Sequence, residues 1–387
     1  MRGITDRITT RRVRAAALGA AVVVCAVAAV APTAATAVPN APTATPGPKV
    51  APGPKVAPGP KVAPEPKVAM DGLSVGVERI SVATDEGYGA ASITPDGRSV
   101  VFKSLKDVPQ QSGNEVYVRD RRAGQTRTEP LVEGWTPAIS GDGKQVAASA
   151  PAQGMTAQRI RQHSLDLGML PDRCGHCNEP SLSADGRYLA FGYLRLPERY
   201  RNVAVADRNG GFDTVASLSS SAAARPSISG DGRYVAYQGA TYQREDGVHL
   251  WDRTTGTTTG PLEGPSKGGT LVQLSDNGSK VVYLSDGGTY VHDVSSGDAH
   301  LVPNAEGVAI DPTGRYLLYV PKGTSGPSLV LRDLQTGADE TVSDQPATAD
   351  ADSVSAGGRD VVFQSAADNI VPGDTNGKPD VFVRRFF

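Results

Sequence analysis

Seven stretches of this chain superpose on one another, and that recurrence constrains the fold more than any other feature. They are SITPDGRSVVF (92–102), AISGDGKQVAA (138–148), SLSADGRYLAF (181–191), SISGDGRYVAY (227–237), QLSDNGSKVVY (273–283), AIDPTGRYLLY (309–319) and SVSAGGRDVVF (353–363). Their turn glycines are Gly97, Gly143, Gly186, Gly232, Gly278, Gly314 and Gly358, spaced by 46, 43, 46, 46, 36 and 44 residues. A period in this range marks an array of supersecondary units, each too small to bury its own apolar surface. The 44 Gly and 29 Pro of the 387 residues point away from a helical bundle, because both are costly inside helices.

A second marker runs in step with the first. An extended run ending in Asp and followed by a Gly turn recurs as VYVRDRRAG, VAVADRNGG, VHLWDRTTG, TYVHDVSSG and LVLRDLQTG. Asp120, Asp207, Asp252, Asp293 and Asp333 hold the acidic position, with Asp166 as a sixth candidate. Glycines such as Gly124, Gly256, Gly297 and Gly337 suit the positive φ of a hairpin turn. Each unit therefore reads strand, Asp-Gly turn, strand, loop, strand, Gly turn, strand. Four strands in about 45 residues is the length of a propeller blade. Strands such as RYVAY are apolar at successive positions, which fits sheets covered on both faces. In the pairs Asp96-Gly97, Asp142-Gly143, Asp185-Gly186 and Asp231-Gly232, the carboxylate is expected to accept nearby backbone N–H groups, a structural role.

The pattern of GDGRYVAF followed by VFVRDRxTG resembles the TolB-type, WD-like propeller repeats of exported bacterial proteins. The resemblance spans about residue 75 to Phe387; Asn277-Gly278 and Thr313-Gly314 depart from it. It implies an all-β, seven-bladed propeller of four-stranded antiparallel blades and an envelope protein or peptide as ligand. The last unit stops after its third strand, while VERISVAT (77–84) precedes the first without a blade of its own. Pairing these two removes an open sheet edge, so Val77–Thr84 is expected to be the outer strand of the last blade.

The chain before the repeats reads as an address and a spacer. Arg2, Arg7, Arg11, Arg12 and Arg14 precede an uncharged stretch from Ala15 to Ala31 and then Ala35-Thr36-Ala37. That is the pattern of a secretory signal peptide cleaved after Ala37; an uncleaved anchor is the alternative, since about 17 apolar residues are the lower limit for spanning. Residues 38–70 form a linker containing PGPKVA three times and PEPKVA once, a composition suited to a polyproline II rod. Lys49, Lys55, Lys61 and Lys67 would line one side, as a solubilising stalk or as a contact to an anionic cell wall. Residues 1–37 carry +4 and residues 38–70 carry +3, which leaves −9 for residues 71–387. An acidic globular part argues against nucleic acid as a partner and, once the leader is cleaved, against membrane.

Several motifs hold candidate chemistry. Cys174-Gly-His176-Cys177 matches a dithiol redox motif but sits in a loop between units, where a local Cys174–Cys177 disulfide is the simpler expectation in an oxidising compartment. Zinc would need a fourth ligand that the sequence does not supply. Asp374, Asn376 and Asp380 place oxygens at positions 1, 3 and 7 of a Gly-containing turn and could hold calcium, although Arg385 stands where an EF-hand has Glu; no other cofactor is indicated. No GxSxG occurs, and no nucleophile, base and orienter are gathered.

The expected function is that of a secreted, monomeric, non-catalytic propeller, with any cell-wall contact made through its lysine-bearing stalk. It would bind a protein or peptide at one face of the central channel through Tyr88, Trp135, His176, Glu179, Arg225, Lys267, Asp350 and Asp352. The alternatives are a propeller lyase or glycan hydrolase, for which Asp350, Asp352 and Glu306 are the available acids, or a display module on the cell wall.

Overall fold

In the computed structural model the described residues are 75–387, apart from 82–85, 106–113, 127–131, 152–157, 166–167, 171–175, 196–199, 216–220, 242–244, 263–268 and 324–325. The leader and the linker therefore lie outside the described residues, as do Cys174, Lys267 and Asp166.

Among the described residues seven antiparallel sheets follow one another in sequence, almost without helix. The third blade is typical: Cys177–Leu182, Tyr188–Arg195, Tyr200–Asp207 and Phe212–Thr214 pair in chain order, inner to outer. In the seventh, Asp360–Ser365 and Asp380–Arg385 pair regularly, while the inner segment is held by the bridges Thr348↔Gln364 and Val354↔Val361.

Closure occurs as the sequence requires. Gly76–Arg79 runs antiparallel to Asp380–Arg385, with Val77 opposite Arg384 and Arg79 opposite Phe382. Ile80 extends the pairing through its N–H to Val381 O at 2.8 Å. The regular strand is Gly76–Arg79, and residues 82–84 of the expected span lie outside the described residues. Ile80 is fully buried among Tyr88, Phe102, Val362, Val381 and Val383, so the joint between first and last blades is also an apolar layer.

The Asp-Gly turns explain how neighbouring blades dock. Asp185 Oδ1 accepts Arg187 N at 2.9 Å and Ser183 Oγ at 2.7 Å. Asp96, Asp142, Asp231 and Asn277 do the same with their own neighbours. In the sixth unit Asp311 moves the carboxylate to the start of the turn, where it accepts Thr313 N, Arg315 N and Tyr316 N. Each turn glycine has positive φ and is also crowded by the preceding blade. A Cβ on Gly278 would lie 2.9 Å from Tyr234 Cδ2, and one on Gly358 would lie 2.6 Å from the Tyr316 ring. Turn-to-turn hydrogen bonds continue the contact around the axis, among them Asp142 N to Ala184 O, Ala184 N to Gly230 O, Gly230 N to Asp276 O and Ala356 N to Pro95 O.

Four of the acids that end the third strands bind the arginine one past the turn glycine, while Asp293 pairs with Lys280, two past it. Arg98–Asp120, Arg187–Asp207, Arg233–Asp252 and Arg315–Asp333 are 2.7–2.8 Å ion pairs. By its bond Leu165 N to Lys144 O, the second blade has Ser164 at this position rather than Asp166.

Candidate functional site

The inner strands carry a defect that shapes the channel. Their register shifts between Gly89 and Ser92, between Asn178 and Ser181, and between Ala224 and Ser227. Each shift leaves two residues unpaired with the second strand. The first of them takes a left-handed conformation: Ala90 (φ 42°), Glu179 (φ 55°) and Arg225 (φ 49°), with Asp352 (φ 60°) beside them in the seventh blade. Such φ values are costly for residues other than glycine, and their clustering marks a functional candidate. The second unpaired residue is Ala91, Pro180 or Pro226, with Pro137 equivalent in the second blade. Proline lacks an N–H, so no donor is left stranded on this free strand edge.

These bulges surround a cup of about 290 Å³. Its wall includes Ala91, Pro137, Pro180, Pro226 and Val272, and its charged residues are Glu179, Arg225, Asp350 and Asp352. Glu179 Oε2 accepts Arg225 N at 2.9 Å, and its Oε1 stands 3.9 Å from Arg225 Nε. Asp352 Oδ1 accepts Gln273 Nε2 at 2.6 Å, a link from the fifth blade to the seventh, and Asp352 O accepts Ile93 N at 2.9 Å. Burial pushes the Asp352 carboxyl up to about 6. Asp350, exposed at the surface, accepts Gln364 Nε2 at 3.2 Å. Its pKa is raised by desolvation, against the lowering effects of Gln364, Ala91 N–H and Lys103.

Of the eight expected binding residues, Glu179, Arg225, Asp350 and Asp352 line this cup. Trp135 is half-buried beside it, its backbone N–H donating to Ser149 O at 2.8 Å. His176, at φ 69°, is not among the lining residues. Tyr88 is a correction. It is 3% exposed and packs edge-on to Phe102 (5.5 Å) and Tyr117 (6.1 Å), because as the first inner-strand residue it faces the apolar layer between blades. Glu306 is likewise away from the cup, exposed and 3.6 Å from Lys322.

Sequence reasoning missed Asp276, Gln273 and Ser92. Asp276, in the turn of the fifth blade, has its carboxyl pushed up to about 7 by burial and then by the charges of Asp352 and Asp311. The available signal was Pro137, Pro180 and Pro226, each six residues before a turn glycine.

The Asp374, Asn376 and Asp380 loop is assembled around an internal cation. Arg79 Nη2 lies 2.7 Å from Asp380 Oδ2 and Nη1 lies 3.7 Å from Asp374 Oδ1. Asn376 Nδ2 reaches Asp380 at 3.3 Å, and Ser81 Oγ donates to Asp380. Among the described residues no group of three or more His, Cys, Asp or Glu side chains is placed to hold a metal ion. Cys177 is fully buried in the apolar cluster of Phe191 and Leu189.

No family model matches the chain, and no curated protein does. Solved structures do. An oligogalacturonate lyase in complex with manganese is similar over 80% of this chain and 93% of its own, with TM-score 0.56 and 13% identity. A prolyl endopeptidase structure is similar over 73% of this chain but 45% of its own, with TM-score 0.53 and 17% identity. TolB from Acinetobacter baumannii aligns over 65% of this chain and 62% of its own, with TM-score 0.43 and 14% identity. At these identities the likeness is one of fold, the β-propeller. Among the described residues no helix is long and apolar enough to cross a membrane.

Proposed function

We propose that this chain is exported and acts as a non-catalytic propeller, binding a protein or peptide partner through one end of its central channel. The observation that carries this reading is the cup itself. Four strained or charged positions from the third, fourth and seventh blades, Glu179, Arg225, Asp350 and Asp352, converge on about 290 Å³. That volume is at the lower end for a ligand site and suits one or two side chains of a docked segment. The basic leader supports export, and the lysine-bearing linker of residues 38–70 supports a stalk that can also touch an anionic wall. In an oxidising compartment Cys174 and Cys177 would close a local disulfide. The test is capture from envelope and culture-medium fractions with the full chain, beside an Arg225→Glu variant. A partner retained by the parent and lost by the variant supports the reading; indistinguishable captures overturn it.

One observation favours a second reading. Asp276 and Asp352 both have carboxyls raised toward neutrality, and such values mark acid–base sites. A propeller lyase or glycan hydrolase would use them. Turnover of oligosaccharides by the parent, abolished in Asp352→Asn, would establish that reading over the first.

A further inference from the structure

We infer that the corner of the cup between the seventh and first blades is a subsite for a cationic side chain, the ammonium of Lys or the guanidinium of Arg on a docked peptide. This inference rests on the peptide-binding reading above and names the chemistry that the site selects.

Charge is the first support. The lining residues carry three carboxylates and one guanidinium. Arg225 already faces Glu179, which accepts its backbone N–H at 2.9 Å and stands 3.9 Å from its Nε. Asp350 and Asp352, from the seventh blade, accept only the neutral amides of Gln364 and Gln273 among side chains, and Lys103 is the nearby basic group on Asp350.

An orphaned hydroxyl is the second, independent support. Ser92 is 4% exposed and lines the cup, yet its Oγ has no hydrogen-bond partner. Its counterparts are satisfied by the next blade: Ser181 Oγ accepts Ile228 N at 3.1 Å, and Ser227 Oγ accepts Leu274 N at 3.0 Å. A buried hydroxyl left without a partner costs about 1–3 kcal/mol, and a ligand N–H donor would remove that cost. Ser92 adjoins the seventh-blade acids, since Ile93 N bonds to Asp352 O.

The walls supply the third support. Ala90 and Ala91 of the first blade, with Pro137 and Ala138 of the second, line the neighbouring wall of the cup with small or rigid apolar surface. Long basic side chains lay their methylene stems on such surface while the charged head reaches a polar end. An acidic or neutral side chain gains no such pairing and would face two carboxylates.

The experiment uses the full chain immobilised and a positional-scanning library of short peptides, in pools with Lys, Arg, Gln or Glu fixed at one position. Retention of each pool is read by mass spectrometry. The Lys or Arg pools should be retained at least about tenfold above the Gln and Glu pools. Asp350→Asn, Asp352→Asn and Ser92→Ala should each cut that retention about fivefold or more with circular dichroism unchanged, and Glu306→Gln should not. Butylamine should displace the retained pools and butanol should not, a readout that needs no variant. Equal retention of all four pools, or displacement by butanol as well as by butylamine, overturns this inference and leaves peptide binding standing. Retention of no pool overturns both.

Discussion

Arg121 Nη1 lies 3.0 Å from Asp360 Oδ1, a buried ion pair joining the first blade to the last. Arg121 also reaches Glu78 Oε2 at 3.1 Å and Gly97 O at 2.6 Å, while Arg359 and Arg385 approach Asp360 at 3.2 and 3.6 Å. Asp360 occupies the place held by Tyr188, Tyr234 and Tyr316 in other blades, and Arg385 the place held by their Asp. The repeat is thus inverted in charge where the ring closes. Removing one member of a buried pair strands the other, at about 3–5 kcal/mol. Asp360→Ala should therefore lower the urea-unfolding free energy by that order. Asp120→Ala, which breaks a half-exposed pair with Arg98, should cost no more than about 1 kcal/mol. Equal losses would contradict the assignment of Asp360 as the closing residue.

The turn glycines offer a test of blade docking that separates backbone strain from contact. Gly314 and Gly124 both have positive φ, +74° and +61°. A Cβ at Gly314 would meet Lys280 Cγ and Ser279 Oγ at 2.8 Å, whereas one at Gly124 would meet nothing within 4 Å. Gly124→Ala should cost the conformational penalty alone, about 1–2 kcal/mol. Gly314→Ala and Gly358→Ala should add an overpacking cost of about 1–3 kcal/mol. Thermal unfolding of the three variants measures the difference, and Gly358→Ala should be the worse of the crowded pair because an aromatic ring yields less than a lysine stem.

How much of this was legible beforehand follows from what kind of interaction each residue makes. Asp185 and Ile80 could be placed because their roles are local or follow from topology: an Asx turn depends on residues two apart, and an unpaired strand has one edge to fill. Tyr88 could not, because which face an inner-strand side chain takes depends on where the strand starts. Asp276 was hidden for a different reason. Its carboxyl is perturbed by Asp352 and Asp311, 76 and 35 positions away in sequence, and no local pattern brings them together. The cup's Glu179 and Arg225 were found by their place ahead of the repeat, while the bulges that turn them inward left a trace only in the recurring prolines.

Arg79 stands against both Asp374 and Asp380 in their loop, and this has a direct consequence. Dialysis against a chelator, or addition of millimolar calcium, should leave the melting temperature unchanged. Arg79→Leu should lower it by several degrees, because Asp380 is fully buried and Asp374 is 3% exposed. A calcium-dependent rise in melting temperature of the parent chain would show that a metal, not the guanidinium, holds the loop.

The pH dependence of stability follows from Asp276 and Asp352. Both folded-state pKa values are raised, from 3.8 to about 7 and about 6 respectively. For each, the folded state holds its proton more tightly than the unfolded chain. The stabilising contribution is complete below about pH 4 and is lost as pH rises through 6 and 7, where burial penalises both charged carboxylates and the charges of Asp352 and Asp311 add to the penalty at Asp276. Asp276→Asn should therefore raise the melting temperature at pH 8, where the carboxylate is charged, and change it little at pH 4, where the acid is already neutral. The opposite order, with gain at pH 4 and none at pH 8, would mean that Asp276 is stabilised as an anion. Because Asp352 contributes to the Asp276 shift, Asp352→Asn should also lower the midpoint of the remaining transition, and the double variant should flatten the profile between pH 5 and 8.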